Sequence, residues 1–419
     1  MQYIADFHIH SKYSRATSQK TDFGNFEKWA KMKGVSILGT GDFTHPQWFS
    51  EMKENLEPAE EGLFKLKEES ASTRFILTTE ISCIYTKKEK VRKIHIIIFA
   101  PSFKVIEKIN TQLSWSSNLK SDGRPILGMD AKDLLKIVLE SSPQCLIVPA
   151  HVWTPWFSLF GSKSGFDALE ECFEDYSKYI YALETGLSSD PEMNWRLSSL
   201  DKYTLISNSD AHSPQKIGRE ANIFEGSELS YDLIIDAIKR GGKEKGSLNL
   251  FSTIEFFPEE GKYHYDGHRL CEVRMSPEET KKYGGICPVC KKPLTVGVLS
   301  RVEELADRPV GEKPESAIPF IKIVPLPEII AEVFGQASSN SKFVQEEYQT
   351  IINNFGNEFK TLIDVPIEEI KKFSPEIGRG IEIVREEKLK VLPGYDGEFG
   401  RVCLFEAEEE KNTPQNTLF

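Results

Sequence analysis

Six of the eight histidines in this chain stand at or just after the ends of short apolar runs, with acidic residues beside them. A single histidine near a strand end is usually structural, so the evidence lies in the repetition. The residues of this set that can bind metal are His8, His10, Asp42, His45, Glu80, His95, His151, Glu184, Asp210 and His212. Imidazole and carboxylate groups together suit zinc, manganese or iron. Because adjacent ions activate water and stabilise a leaving oxygen, the set favours phosphoester hydrolysis.

A second group of ligand-type residues lies further along the chain. His268 and Cys271 form H-x2-C, and Cys287 and Cys290 form C-x2-C after a spacer. Such spacing predicts a structural zinc site in which three thiolates and one imidazole close a tetrahedron. His264 lies in the same segment, but His268 is preferred because its gap to Cys271 equals the gap between the last two cysteines.

The segment around this second group is basic. Residues 262–301 contain eight Lys and Arg against four acidic residues, a net charge of +4 in a chain of net charge −12. A basic module beside a phosphoesterase centre favours a phosphate-rich polymer as substrate. A solvated basic surface is the equally common alternative. The candidate DNA contacts in this segment are Arg269, Arg274, Lys291 and Arg301.

Aromatic residues follow two of the apolar runs that carry candidate ligands. Stacking on an unstacked base would use such rings. Packing against a neighbouring domain is the alternative. The candidate base-binding residues are Trp48, Trp153, Trp156 and Phe157.

The elements that must position these residues are predicted as β/α units. Strand candidates lie at residues 3–10, 35–42, 75–82, 91–100, 145–151, 179–186 and 204–210, with amphipathic stretches between them. In a parallel β/α barrel the carboxyl ends of all strands meet on one face, so distant ligands converge.

We therefore predict an α/β protein of three parts. These are a metal-binding domain over 1–253, a basic zinc-binding module over 254–325, and a helical domain over 326–419 that ends in an acidic, disordered tail.

Composition limits where the protein works. No stretch of about 18 apolar residues could span a bilayer, and the start MQYIADFHIH lacks the features of a secretory signal. The seven cysteines are odd in number and mostly scattered, which fits a reducing compartment. We expect a cytoplasmic protein with no membrane partner.

Six short motifs carry a family resemblance. DFHIHS, GTGDFTHP, TTEIS, KIHIIIFA, VPAHVWTP and NSDAHS resemble the successive metal-binding motifs of the polymerase and histidinol phosphatase (PHP) superfamily. The resemblance implies a distorted (β/α)7 barrel with two or three divalent ions, either Zn²⁺, Mn²⁺ or Mg²⁺. It implies Glu80 as the bridging ligand, and Glu80, Asp210 and His212 as catalytic residues. Asp42 and His45 replace an adjacent Asp-His pair, so one of these two ligands is in doubt.

The order of parts is similar to the endonuclease Q family, which GDFTHP, ETGLSSDP and VEELADRP support. That resemblance implies a DNA repair endonuclease. It would flip the lesion base and hydrolyse the phosphodiester 5′ to deaminated bases (uracil, hypoxanthine, xanthine) and abasic sites, in double- or single-stranded DNA. Asp190 is a candidate general acid, although an Asp before Pro is as often a turn former. The residues do not identify a sliding-clamp partner.

Two other functions stay open. One is a PHP-type phosphatase for a small phosphomonoester, which would not need the zinc module or the helical domain. The other is a non-catalytic DNA-binding protein, which the filled ligand positions disfavour.

Overall fold

The computed structural model describes residues 1–405. The acidic tail predicted to be disordered, residues 406–419, lies outside the described residues. Within the described part the chain forms a mixed α/β fold, and no helix there is long and apolar enough to span a membrane.

Most strands lie in the first two thirds of the chain. They are β1 Gln2–Asp6, β2 Ile37–Gly39, β3 Leu56–Pro58, β4 Phe64–Leu66, β5 Arg74–Lys87, β6 Lys90–Ala100, β7 Ile126–Leu127, β8 Leu146–Pro149, β9 Ala182–Glu184, β10 Thr204–Ile206, β11 Ala221–Gly226, β12 Leu248–Glu255, β13 Asp266–His268, β14 Val273–Met275, β15 Phe320–Lys322, β16 Lys390–Leu392 and β17 Arg401–Cys403.

Helices alternate with the strands and then dominate the last part of the chain. They are α1 Phe23–Lys33, α2 Pro46–Asn55, α3 Phe103–Ser114, α4 Ala131–Ser141, α5 Leu169–Phe173, α6 Pro191–Trp195, α7 Tyr231–Arg240, α8 Pro277–Lys282, α9 Val298–Leu305, α10 Leu326–Val333, α11 Lys342–Phe355, α12 Ile367–Phe373 and α13 Pro375–Arg385. One π-helical turn, Lys360–Asp364, joins α11 to α12.

Helix α1 shows how local sequence sets these elements. The Asp22 side chain accepts a hydrogen bond from the backbone N–H of Asn25 and caps the first turn. Gly34 ends the helix in the left-handed region, at φ 92°, where a residue without Cβ is favoured. Both ends of α1 are therefore set by the residue types at its boundaries.

All seven predicted strands overlap observed ones, but their directions correct the parallel expectation. The strands β5 and β6 form a long antiparallel hairpin, and β6 also pairs antiparallel with β8. The hairpin turn consists of Lys88 and Glu89, both at positive φ (49° and 62°). Such turns usually contain Asn or Gly, so this pair gives no sequence signal for one.

The main sheet has 11 strands and includes six that the sequence did not reveal, namely β3, β4, β7, β11, β12 and β15. Its path runs β15-β12-β11-β1-β2-β5-β4-β3, with β6 and β7 beside β5 and β8 beside β6. Here β11 and β12 are the additional antiparallel pair next to β1. Through β15, residues after 253 return to this sheet.

Backbone hydrogen bonds extend the strand path beyond β8. The N–H of Val152 donates to the carbonyl of Glu184 at the end of β9, and β9 pairs with β10. Ala211, just after β10, exchanges hydrogen bonds with the segment that follows β1. The ends of β1, β8, β9 and β10 therefore face a common space.

Candidate metal centre

The first ligand group joins the start of the chain to residue 210. It consists of His8, His10, Glu80 and Asp210, whose ligand atoms all lie within 4.8 Å of one another. The Nε2 atom of His10 lies 3.2 Å from Glu80 Oε2 and 3.0 Å from Asp210 Oδ1. Three of the four residues are fully buried, and the Asp210 side chain is 25% exposed. The group is therefore open to solvent on the Asp210 side.

A second ligand group shares Glu80 with the first. It consists of Glu80, His95 and His151. Glu80 Oε1 lies 2.6 Å from His95 Nδ1 and 3.1 Å from His151 Nε2, whereas Oε2 faces the first group. One carboxylate thus presents one oxygen to each group, which is the geometry of a ligand between two ions.

Three residues at the site have left-handed backbone conformations. Asp42, His151 and Asp210 have φ values of 49°, 29° and 47°. Such φ values are uncommon for residues other than glycine, and strained backbone of this kind occurs often at functional sites. Each lies just after a strand, where the turn aims its side chain across the strand ends.

Two acids hold the histidines instead of joining the groups. Glu184 accepts from His8 Nδ1 at 3.0 Å and from the backbone N–H of His151 at 2.8 Å. Asp42 Oδ1 lies 3.0 Å from His10 Nδ1, and its Oδ2 accepts from the Ser11 N–H and from two serine hydroxyls. Both acids fix the ring orientation of a candidate ligand, which leaves the other ring nitrogen facing the site.

His45 and His212 lie outside both groups. His45 caps α2, since its Nδ1 accepts from the Trp48 N–H at 3.4 Å, and its ring stacks on Tyr13. One ring nitrogen of His45 is thus bonded to the helix, and the role of His45 as a metal ligand stays a prediction. The His212 ring lies 4.5 Å from the His10 ring and its side chain is 30% exposed, so it borders the first group at the open side.

Arg124 is a functional candidate that the sequence did not reveal. One guanidinium nitrogen donates to Glu80 Oε2 at 2.9 Å, and the side chain is 25% exposed. Within residues 1–405 it is the only Lys or Arg paired with a member of the two groups. The segment SDGRPILG contains no metal-ligand pattern, so only the fold reveals this cation.

The charges at the centre stabilise one another. Burial works against the charged form of Glu80, but the Arg124 guanidinium and the charge of His8 hold the pKa of this carboxyl well below its usual range. Burial similarly opposes ionisation of Asp210, and the charge of His8 keeps its pKa well below normal. Burial lowers the pKa of His95 to about 4, which favours its neutral imidazole.

The residues present fit divalent cations. The buried Nε2 atom of His8 makes no hydrogen bond within the described residues, although Glu80 and Asp210 oxygens lie 3.4 and 3.6 Å away. Unpaired buried polar atoms are rare and call for a partner. Two acids and four imidazoles that converge on one space supply the nitrogen and oxygen donors that Zn²⁺ or Mn²⁺ accepts.

The four zinc-type residues also meet. The ligand atoms of His268, Cys271, Cys287 and Cys290 lie within 4.8 Å of one another. His268 ends β13, and the two last cysteines flank a tight turn in which the Cys287 carbonyl accepts from the Lys291 N–H at 3.0 Å. We refer to these four residues as the cysteine cluster.

Known proteins are similar to this chain over its whole length. Family models described as PHP-associated and as the MJ0043 C-terminal domain match residues 197–242 and 325–388. The crystal structure of the lesion-specific endonuclease PfuEndoQ from Pyrococcus furiosus is 31% identical, with a TM-score of 0.85, and the match covers 99% of this chain and 100% of that one. The chain belongs to the endonuclease Q family.

Two further relatives refine this picture of the endonuclease Q chain. A crystal structure of endonuclease Q with a 27-mer duplex that has an abasic lesion at the active site matches with a TM-score of 0.86, 31% identity and full coverage of both chains. The uncharacterised protein MJ0043 of Methanocaldococcus jannaschii is 35% identical over 259 residues, or 60% of this chain. The chain spans only 31% of that relative's length.

Two of the tryptophans expected to bind DNA are core residues in this endonuclease Q chain. Trp48 and Trp153 are fully buried. The Trp48 indole N–H donates to the Gly41 carbonyl at 2.9 Å, and that of Trp153 donates to Asn194 at 2.8 Å. The base-binding assignment is corrected for both, because their rings pack inside the protein and their polar atoms are satisfied there.

Arg301 and Asp190 also have structural partners. The buried Arg301 guanidinium donates to the carbonyls of Phe160 and Phe166 and pairs with Asp167. Arg301 therefore holds α9 against the loop that contains residues 160–167. Asp190 caps α6 and pairs with Lys322 at 2.9 Å. These contacts correct the DNA-binding role expected for Arg301 and the general-acid role expected for Asp190.

The remaining DNA-contact candidates are partly exposed. Trp156 is 37% exposed, and the Phe157 ring lies 4.8 Å from the His95 ring. Arg269, Arg274 and Lys291 lie on the surface of the module that contains the cysteine cluster. They stay candidates for DNA contact.

Proposed function

We propose that this chain is a metal-dependent DNA endonuclease that hydrolyses the phosphodiester 5′ to deaminated bases (uracil, hypoxanthine, xanthine) and abasic sites. The observation that carries the proposal is the pair of ligand groups that share Glu80 in a member of the endonuclease Q family. The two similar crystal structures are described as a lesion-specific endonuclease and as a complex with an abasic-site duplex. The cut would leave a 3′-hydroxyl and a 5′-phosphate.

The fold proposed for the catalytic part is a distorted seven-stranded PHP barrel. Pairing runs from β1 through β2, β5 and β6 to β8. A single hydrogen bond links the segment after β8 to β9, β9 pairs with β10, and Ala211 after β10 bonds back to the segment after β1. This ring of seven strands supports the proposal. The three-part division at residues 253 and 325 stays a proposal as well.

Each residue of the centre has a proposed role. Glu80 would offer Oε2 to one ion, with His8, His10 and Asp210, and Oε1 to the other, with His95 and His151. When bound, two or three divalent ions, Zn²⁺, Mn²⁺ or Mg²⁺, supply an activated water and neutralise phosphate charge.

Two residues beside the ligands, Arg124 and His212, have proposed roles in substrate contact. Arg124 pairs with Glu80 in this structure and lies at the exposed side of the centre, so its guanidinium is placed to contact a phosphate oxygen. His212, also at that side, would hold or move a proton at the reacting oxygens. We propose both as substrate contacts.

The cysteine cluster would hold a structural Zn²⁺. Its four donors, three sulfurs and one imidazole, close a tetrahedron without a place for substrate. All seven cysteines are free thiols, which supports a reducing, cytoplasmic location as part of the proposal.

The experiment compares strand cutting on matched duplexes. One strand carries a single uracil, hypoxanthine or abasic site, the control duplex carries none, and each is incubated with Mn²⁺ or Mg²⁺. We expect one nick 5′ to the lesion and none in the control. Equal cutting of both duplexes would contradict lesion recognition. Cutting of neither, with hydrolysis of a small phosphomonoester, would favour a PHP-type phosphatase instead. DNA binding with neither activity would favour a non-catalytic binding protein.

A further inference from the structure

A rigid surface loop presents an exposed aromatic ring beside the module of the cysteine cluster. The loop, residues 393–400, joins β16 to β17, and Phe399 within it is 76% exposed. Backbone hydrogen bonds from Gly394, Gly397 and Gly400 to the carbonyls of residues 259, 262 and 260 hold the loop in place. These hydrogen bonds hold the loop in a conformation that leaves the Phe399 ring exposed to solvent.

Phe399 belongs to a continuous row of residues. Lys262 Nζ lies 5.7 Å from the Phe399 ring centre and 5.8 Å from that of Tyr263. Tyr263 meets Trp156 edge to face, with ring centres 5.4 Å apart. We call Trp156, Tyr263, Lys262 and Phe399 the aromatic track.

One end of the aromatic track lies close to the metal centre. Trp156 is followed by Phe157, whose ring lies 4.8 Å from that of the candidate ligand His95. A single exposed aromatic residue is ordinary on a protein surface, but a row of three rings and a lysine close to a candidate metal centre is not. Its position close to the metal centre points to the same ligand, DNA.

The charge of this surface suits a phosphate backbone. Lys262 forms no ion pair with a carboxylate among residues 1–405, so its charge is available to a ligand. The nearby acid Glu398 lies 3.6 Å from Arg269, which offsets its charge. Aromatic rings beside an unpaired cation are the combination that binds nucleic-acid strands by stacking and by phosphate contact.

We propose that the aromatic track binds the DNA strand that flanks the scissile phosphate, with Phe399 and Tyr263 stacked on bases and Lys262 on a phosphate. This inference rests on the proposed endonuclease function. It names a contact surface that lies outside the metal centre and extends onto the loop 393–400.

The test measures binding in an Asp210→Asn background, so that cutting does not interfere. Affinity for a fluorescent lesion duplex is followed by anisotropy over a range of salt concentrations. We expect Phe399→Leu to weaken binding about fivefold or more with an unchanged salt slope, and Phe399→Tyr to restore it. We expect Lys262→Gln to reduce the slope of log K against log salt by about 0.9, the value for one lost phosphate contact.

Controls separate this surface from general effects and from the endonuclease proposal. Phe251→Leu alters another exposed phenylalanine, 49% exposed on β12, and should bind like the parent. Unchanged affinity in Phe399→Leu, or an unchanged slope in Lys262→Gln, would overturn the inference. Because binding is read without cutting, absence of lesion-specific nicking would refute the endonuclease proposal and leave this result interpretable.

Discussion

The two clusters of candidate metal ligands are assembled in opposite ways. The groups that share Glu80 gather residues from position 8 to position 210, and they meet only because the strand ends converge. The cysteine cluster takes all its members from residues 268–290 and is held by a short hairpin and a tight turn. One cluster depends on the whole fold, and the other depends on local structure.

The two clusters also differ in their donor atoms and in their exposure to solvent. The Glu80 groups contain nitrogen and oxygen donors, a shared carboxylate, and partly exposed Asp210 and His212 at one side. The cysteine cluster offers four donors and sulfur in three of them. Structural zinc sites are closed by protein ligands, whereas catalytic sites keep a position open to water or substrate. The comparison therefore supports the proposed roles, in which the first cluster cuts DNA and the second stabilises the fold.

The largest loss of nicking activity is expected when Glu80 is changed. Because its two oxygens serve both groups, we expect Glu80→Gln to reduce nicking of an abasic-site duplex about a thousandfold or more. Zinc in the cysteine cluster should stay bound. The matched control is Glu225→Gln, which alters an exposed glutamate on β11 and should cut normally. Nicking by Glu80→Gln at the control rate would refute the shared-ligand account.

A smaller effect is expected when a supporting acid is changed. Glu184 orients His8 and contacts the His151 backbone but belongs to neither group. Loss of such a partner typically weakens metal affinity about 10- to 100-fold. For Glu184→Gln we therefore expect the Mn²⁺ concentration for half-maximal nicking to rise by that factor, with the rate at saturating Mn²⁺ largely retained. If saturating Mn²⁺ does not restore the rate, Glu184 acts in a different way.

The smallest effect on cutting is expected for the cysteine cluster. Cys287→Ser should release one equivalent of zinc and lower the melting temperature, but reduce nicking no more than about tenfold, which is ~1.4 kcal/mol. Cys145→Ala, at a buried cysteine outside the cluster, should keep its zinc. Unchanged zinc content in Cys287→Ser, measured by elemental analysis, would remove the cluster as a zinc site.

The sequence identified most of the site because the candidate ligands lie in short motifs at the ends of the predicted strands. His8, His10, Glu80, His95, His151 and Asp210 are in the structure's ligand groups, and their role as ligands stays a prediction. Arg124 was missed because a lone arginine in a loop has no spacing to recognise. Glu184 was ranked from the sequence below the other candidates, as an acid that could hold ligands, and its hydrogen bonds to His8 and Asn208 are consistent with that role.

The errors have physical reasons too. Trp48 and Trp153 follow strands as base-stacking rings would, but burial decides their role, and burial depends on packing that the sequence does not display. The antiparallel hairpin of β5 and β6 was missed because its turn, Lys88 and Glu89, lacks the usual residues. His95 still reaches Glu80 because both project from neighbouring hairpin strands.

Anomalous diffraction from crystals soaked in Mn²⁺, recorded at the manganese and zinc edges, tests the central claim most directly. We predict manganese on both sides of the Glu80 carboxylate, one ion near His10 and one near His95, and zinc among Cys271, Cys287 and Cys290. A single manganese peak that leaves one Glu80 oxygen without a metal, or an empty cysteine cluster, would contradict the account.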